Sequence, residues 1–273
     1  MKPTRGNEHF IELEDNEGRL AGVLHLPKQA AGPSPAVVYC PGKNGERYEV
    51  HRLAVKFARR LAEKGIAFLR YDYYGMGLSD GHYYEVTTST KVSNARRAYA
   101  FASARPEIDK ARIAFLGFSD GARIALMAAN RTDADCLLLW SPLFYEFGGK
   151  YLGPRPRFAR HERDPQQLVV PWAGLWVGID FFKDLQQANL AHELSSYRGH
   201  SLLIYGDNDP LIREELDREH TDRHAIYSDV PEHQVTVVAN AGHLFTSVAL
   251  EEQLMARSVR WLEAQWHEKG GEG

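Results

Sequence analysis

The chain has 273 residues, of which 44% are hydrophobic, 25% charged and 11% aromatic, with a formal net charge of −3. These values suit one large α/β domain with a sizeable core and exclude disorder as the default. With no basic stripe, nucleic acid is excluded as an expected partner, and no apolar run approaches the ~20 residues of a membrane span.

In chain order, the first 30 residues predict a hairpin. His9-Phe10-Ile11-Glu12-Leu13 alternates, Asn16-Glu17-Gly18 turns, and residues 20–26 form a second strand. After Pro33, short apolar runs alternate with helical periods. Strands are expected at 36–40, 66–71, 113–116 and 136–140, and helices at 50–64, 87–105 and 120–130. Residues 144–197 break this rhythm with Gly, Pro and nine Phe, Tyr or Trp side chains before Tyr197. It resumes with strands at 201–205 and 235–238 and helices near 213–220 and at 247–266. Continuous apolar strands alternating with helices mean an α/β fold, a mostly parallel sheet covered by helices on both faces. The expected organisation is a single domain over residues 1–273, with residues 143–198 inserted over the sheet as a lid. Residues 269–273 read as a polar tail that frays.

The strongest chemical signal is Gly117-Phe118-Ser119-Asp120-Gly121, which follows a strand and opens a helix. In that context G-x-S-x-G is a nucleophile elbow: the turn strains the serine backbone, only small residues fit beside it, and the hydroxyl stands exposed above the carboxyl edge of the sheet. The alternative is a helix N-cap serine. A serine needs a base. Of the 12 histidines, His243, in Ala241-Gly242-His243-Leu244, follows the last strand and so shares the carboxyl edge with Ser119. His233 precedes that strand and falls at the opposite edge. The orienting acid is expected in Tyr205-Gly206-Asp207-Asn208-Asp209-Pro210. Asp209 is favoured because it lies further out, whereas Asp207 suits a turn. An oxyanion hole needs two backbone N–H donors. One is expected from Asp120 and the other from Lys43 in Cys40-Pro41-Gly42-Lys43-Asn44-Gly45; that stretch also reads as a plain turn with a solvated Lys43 side chain.

With these motifs, and with Asp72-Tyr73-Tyr74-Gly75-Met76-Gly77-Leu78-Ser79-Asp80-Gly81, the chain resembles the α/β-hydrolase superfamily over about residues 10–266. Within it, it is most similar to serine hydrolases of the cinnamoyl- and feruloyl-esterase kind. The family usually has His-Gly where Pro41-Gly42 stand here, and an arginine often takes the place of Tyr74. The resemblance implies the α/β-hydrolase fold, the chain order Ser, Asp, His, and a supporting role for residues 72–81.

The expected activity is hydrolysis of a carboxylic ester of a small molecule through an acyl-enzyme on Ser119. A thioesterase or acyltransferase would use the same triad, and a relative that only binds ligand would have lost a member of it. Ser119 itself argues against halide or epoxide cleavage, which needs an aspartate there. No cofactor and no metal are expected, since no HExxH-like spacing occurs. Candidate substrate contacts are Trp172, Trp176, Phe118 and Tyr74. Trp172, Leu175, Trp176 and Ile179 fall at helical spacing, either as lid packing or as a pocket wall. Lys150, Arg155, Arg157, Arg160 and Arg163 form either a solvated face or a guide for an anionic substrate. Residues 1–8 do not resemble a signal peptide. Cys40 and Cys136 lie in apolar runs without a CxxC, so buried thiols and a cytoplasmic location are expected. A homo-oligomer is compatible with all of this.

Overall fold

A computed structural model describes residues 7–28, 32–145, 157–172, 174–217 and 224–270. Lys150 and Arg155 of the basic cluster, residues 218–220 of the expected helix and residues 271–273 of the tail lie outside them. The first two strands, β1 (Asn7–Glu14) and β2 (Arg19–Leu26), pair antiparallel with Asn7 opposite Leu26 and Glu14 opposite Arg19. They flank a chain that then alternates: β3 (Ser34–Cys40), α1 (Leu53–Glu63), β4 (Ala67–Tyr71), α2 (Thr88–Ser103), β5 (Ile108–Phe118), α3 (Gly121–Ala129) and β6 (Cys136–Trp140). After the insertion come β10 (His200–Gly206), α6 (Pro210–Leu216), β11 (His233–Val238) and α7 (Val248–Gly270).

These strands form one eight-stranded sheet in the order β1-β2-β4-β3-β5-β6-β10-β11. It is antiparallel at β1–β2 and β2–β4 and parallel from β4 to β11. Alternation along β3 shows how the core is divided. Ala36, Val38 and Cys40 join the cluster under α2 and α3, whereas Val37 and Tyr39 join the one under α1 and α7, because successive strand side chains face opposite ways. The chain passes from β3 outward to β4 and then returns to β5 on the other side of β3. The loops after β3 and β5 therefore diverge from neighbouring strands at a topological switch point, where open α/β sheets form crevices.

Three strands within the insertion form a separate antiparallel sheet: β7 (Ala159–Arg160), β8 (Leu168–Trp172) and β9 (Leu175–Gly178). The helices α4 (Ile179–Gln187) and α5 (Leu190–Ser196) follow. The helical spacing expected for Trp172, Leu175, Trp176 and Ile179 is overturned here. Trp172 pairs with Leu175 and Pro171 with Trp176 across a hairpin turned at Gly174, whose φ is 82°. Only Ile179 is helical. The two tryptophans consequently project from opposite faces of the hairpin. The helix expected near 213–220 starts earlier, at Pro210, because Asp209 caps it and proline is favoured in the first turn.

Candidate active site

Ser119 follows β5 with φ 54°, the left-handed backbone of a tight elbow. Small neighbours are obligatory on both sides. A Cβ on Gly117 would lie 2.5 Å from Ala122 Cα, and one on Gly121 would lie 2.1 Å from the Cys40 carbonyl oxygen. The Ser119 N–H donates to the Trp140 carbonyl at 2.9 Å, and its own carbonyl accepts from Leu143 at 3.1 Å, so the turn is pinned to neighbouring loops. The residue is only 9% exposed, and Gly42 of the loop after β3 lies beside it, where an added Cβ would come 3.6 Å from Ser119 Cβ.

His243 comes from the loop after β11. Its Nε2 lies 2.9 Å from Ser119 Oγ and its Nδ1 2.7 Å from Asp209 Oδ2. The imidazole also packs against the Phe118 ring, with centroids 5.6 Å apart. Asp209 is fully buried. Burial pushes its carboxyl up, but the hydrogen bond and charge of His243 and the N–H groups of Ile212 and Leu211 outweigh that and hold it below its ordinary range. Asp207 does not reach the imidazole; its Oδ1 accepts the Asn240 N–H at 2.7 Å.

Three side chains that the sequence reading passed over hold the loop carrying Lys43. The buried Glu49 carboxylate accepts the Gly42 N–H at 3.1 Å and the Tyr39 hydroxyl at 2.6 Å. Lys91 donates to the Lys43 carbonyl at 3.3 Å and to Asp120 Oδ2 at 3.2 Å. The Tyr83 hydroxyl donates to Asn44 Oδ1 at 2.7 Å. A signal for Lys91 was present in the sequence: it occupies a helical position in register with Thr88, Ala95, Ala98 and Ala102, all buried, where a lysine needs partners. Asp120 also meets the Arg123 guanidinium. Burial raises its carboxyl, but Arg123, Lys91 and Lys43 together bring it down to about 2.

The four candidate substrate contacts separate. Trp172, 38% exposed, lies with its ring 4.0 Å from Lys43 Nζ, against the loop after β3. Trp176 faces away, edge-on to His161 with centroids 6.0 Å apart, beside a surface cavity lined also by His82 and Tyr84. The Phe118 ring is buried in the core under α1 and α7 and touches His243 instead of forming an open wall. Tyr74 is not brought to Ser119: its ring packs over Gly18 and Gly81, and its N–H donates to Asn94 Oδ1 at 2.9 Å. In the same loop Asp72 accepts the Arg47 N–H at 2.7 Å and the Leu78 N–H at 2.9 Å, bracing residues 72–81 against the segment after Lys43. Arg157, Arg160 and Arg163 are exposed. Cys40 is a buried free thiol pushed up by burial to about 12. Among the described residues no cluster of His, Cys, Asp and Glu is arranged to hold a metal, and no helix is long and apolar enough to cross a membrane.

The sheet order, with Ser119 after β5, Asp209 after β10 and His243 after β11, is that of the α/β-hydrolase fold. The family described as Esterase FrsA-like matches residues 9–136, a stretch that contains Ser119 but neither Asp209 nor His243. Esterase FrsA of Photorhabdus laumondii is 32% identical over 120 residues, 44% of this chain and 28% of that protein. An uncharacterized protein of Mycobacterium tuberculosis is 33% identical over 132 residues, 48% of this chain and 44% of that one. The chain thus matches less than half the length of these curated relatives. Among solved structures, Est1E from Butyrivibrio proteoclasticus with bound ferulic acid superposes with a TM-score of 0.74 at 20% identity, covering 92% of this chain and 98% of that one. A dienelactone hydrolase from Anabaena variabilis superposes with a TM-score of 0.65 at 16% identity, covering 96% and 99%.

Proposed function

We propose that this protein hydrolyses a carboxylic ester of a small molecule through an acyl-enzyme on Ser119. The observation that carries this reading is the unbroken chain from Asp209 Oδ2 to His243 at 2.7 Å and from His243 to Ser119 Oγ at 2.9 Å. Asp209, ionised, accepts a hydrogen bond from the Nδ1–H of His243 and so holds the tautomer whose Nε2 lone pair receives the Ser119 proton. Ser119 Oγ then attacks the ester carbonyl, and the N–H groups of Asp120 and Lys43 stabilise the oxyanion. His243 returns the proton to the departing alcohol. Water, deprotonated by His243, attacks the acyl-enzyme, and the acid leaves as Ser119 regains its proton. The complete hydrogen-bonded set argues against a relative that only binds ligand.

Residues 143–198 act as a lid in this reading. Support comes from the contact between Trp172 and Lys43 and from Gly178, whose Cβ position would lie 2.0 Å from the Tyr84 carbonyl oxygen; together they bring the β8–β9 hairpin against two loops that leave the parallel strands. The test is mass spectrometry after exposure to a panel of aryl esters. An acyl adduct on Ser119 in the wild type, and its absence together with loss of turnover in a folded Ser119→Ala variant, is the expected outcome. Hydrolysis at the wild-type rate in Ser119→Ala would reject the assignment.

A further inference from the structure

We propose that Lys91 is a positioning residue that staples the two halves of the oxyanion hole together. This rests on the reading above, in which the amides of Asp120 and Lys43 receive the developing negative charge.

Those two residues come from different parts of the chain. Lys43 lies in the loop after β3, and Asp120 begins the helix after β5. Their strands are hydrogen-bonded neighbours, with Cys40 opposite Gly117, but the register ends there, and nothing in the sheet ladder fixes the loop beyond Cys40 relative to the elbow. Lys91 spans that gap. It reaches in from α2, 1% exposed, and an ammonium has three N–H donors. One goes to the Lys43 carbonyl at 3.3 Å, a second to Asp120 Oδ2 at 3.2 Å, and the nitrogen sits 5.1 Å from the centre of the Tyr73 ring. The other Asp120 oxygen is held by Arg123, so that carboxylate is itself anchored to α3.

The location is costly for a charge. A lysine on the sheet-facing side of a helix loses its hydration, and only close partners offset that. Asp120 is equally buried, at 1% exposed, and stays ionised with its carboxyl at about 2, so the opposite charge is present when Lys91 needs it. A well-packed apolar side chain would serve stability as well or better. What an apolar side chain cannot do is hold a carbonyl and a carboxylate from two different loops at set distances from one nitrogen. Holding the Lys43 carbonyl fixes the peptide plane that follows residue 43 and, through the backbone of that residue, restrains the preceding plane that carries the Lys43 N–H. Oxyanion donors act only within about 2.7–3.1 Å of the transition-state oxygen. A loop that drifts by a fraction of an ångström therefore loses transition-state stabilisation while ground-state binding is nearly untouched.

That difference separates a staple from an ordinary buried ion pair. The variant is Lys91→Met, which keeps the length and removes the donors. The probes are p-nitrophenyl acetate as substrate and phenylboronic acid, which forms a tetrahedral adduct with a reactive serine. The expected result is a kcat lower by about tenfold to a hundredfold, below the ~10²–10³-fold of a deleted donor, a KM changed by less than about twofold, and boronate affinity lowered in step with kcat. Unchanged kcat and boronate affinity in the folded variant, whatever its Tm, would overturn the proposal, since an ion pair that merely stabilises the fold moves Tm alone. If Lys91→Met does not fold, Lys91→Gln is measured by the same criteria; its amide can donate to one acceptor but not bridge both. Wild type and Ser119→Ala are assayed alongside. Equal hydrolysis by those two would bring down the serine mechanism and the staple with it, whereas Ser119-dependent hydrolysis with full kcat in the Lys91 variant would bring down the staple alone.

Discussion

Asp209 meets His243 with one carboxylate oxygen and caps its own helix with the other. Oδ2 lies 2.7 Å from His243 Nδ1, while Oδ1 accepts the N–H groups of Leu211 at 3.0 Å and Ile212 at 3.2 Å. The cap fixes the carboxylate plane, so the imidazole finds its partner already oriented. Asp209→Asn keeps an oxygen for the cap but turns an NH₂ toward His243, which forces the proton onto Nε2 and removes the base. Turnover should fall on the order of ten-thousandfold with the fold intact. Asp207→Asn keeps an oxygen for the Asn240 N–H and should cost far less. Steady-state kinetics on both variants, with circular dichroism as the folding control, checks the ranking; the reverse order would move the acid to Asp207.

The hairpin separates its two tryptophans, so their replacements should behave differently. Trp172 lies against Lys43 of the loop after β3, and Trp176 lies against His161 on the other face. Trp172→Ala should shift relative kcat/KM among acyl chains of different length. Both rings are more than a third exposed, and the lost cation–π contact is worth about 0.5–1 kcal/mol, so Tm should move little. Trp176→Ala should leave acyl preference as it is. Unaltered selectivity in both variants would mean that β8–β9 does not line the acyl site.

Acid stability should depend on His25. It is fully buried, its Nε2 accepts the Arg70 Nε–H at 2.8 Å, and burial followed by the charge of Arg70 pushes it down to about 4. The folded protein therefore keeps it neutral where the unfolded chain, with pKa ≈ 6.5, binds a proton. The contribution is complete above pH about 6.5 and is lost as pH falls toward about 4, on the order of 3 kcal/mol. Urea unfolding across that window should show stability falling with pH, and His25→Gln, which retains an acceptor for Arg70, should flatten the slope. An equal slope in both proteins would remove His25 from the account.

Gly121 and Gly42 offer a steric contrast beside one serine. A Cβ on Gly121 would lie 2.1 Å from the Cys40 oxygen and 2.4 Å from the Pro41 oxygen, both backbone, while one on Gly42 would meet its nearest atoms at an ordinary 3.4 Å. Gly121→Ala should destabilise by at least the ~1–3 kcal/mol of an overpacked core and remove activity, whereas Gly42→Ala should keep its Tm. Thermal unfolding of the pair measures this, and equal Tm values would contradict the close packing at the elbow.

What the chain's own order determined was everything written in local periods. The hairpin at residues 7–26, the strand and helix alternation, the elbow around Ser119 and the strand-end positions of residues 209 and 243 depend on neighbours within a few positions, and hydrophobic spacing and turn chemistry record such neighbours directly. Tertiary structure alone decided the rest. Trp172 and Trp176 are four apart, a spacing that fits one helix face and equally a hairpin with a two-residue turn; pairing between β8 and β9 selected the hairpin. Asp207 and Asp209 sit in the same loop, and only the approach of the chain after β11 brings Asn240 to one and His243 to the other. Glu49 looks like an ordinary surface residue in the sequence, and Lys91, although in register with the buried face of its helix, shows its role only through partners 48 and 29 positions away, beyond the reach of any local pattern.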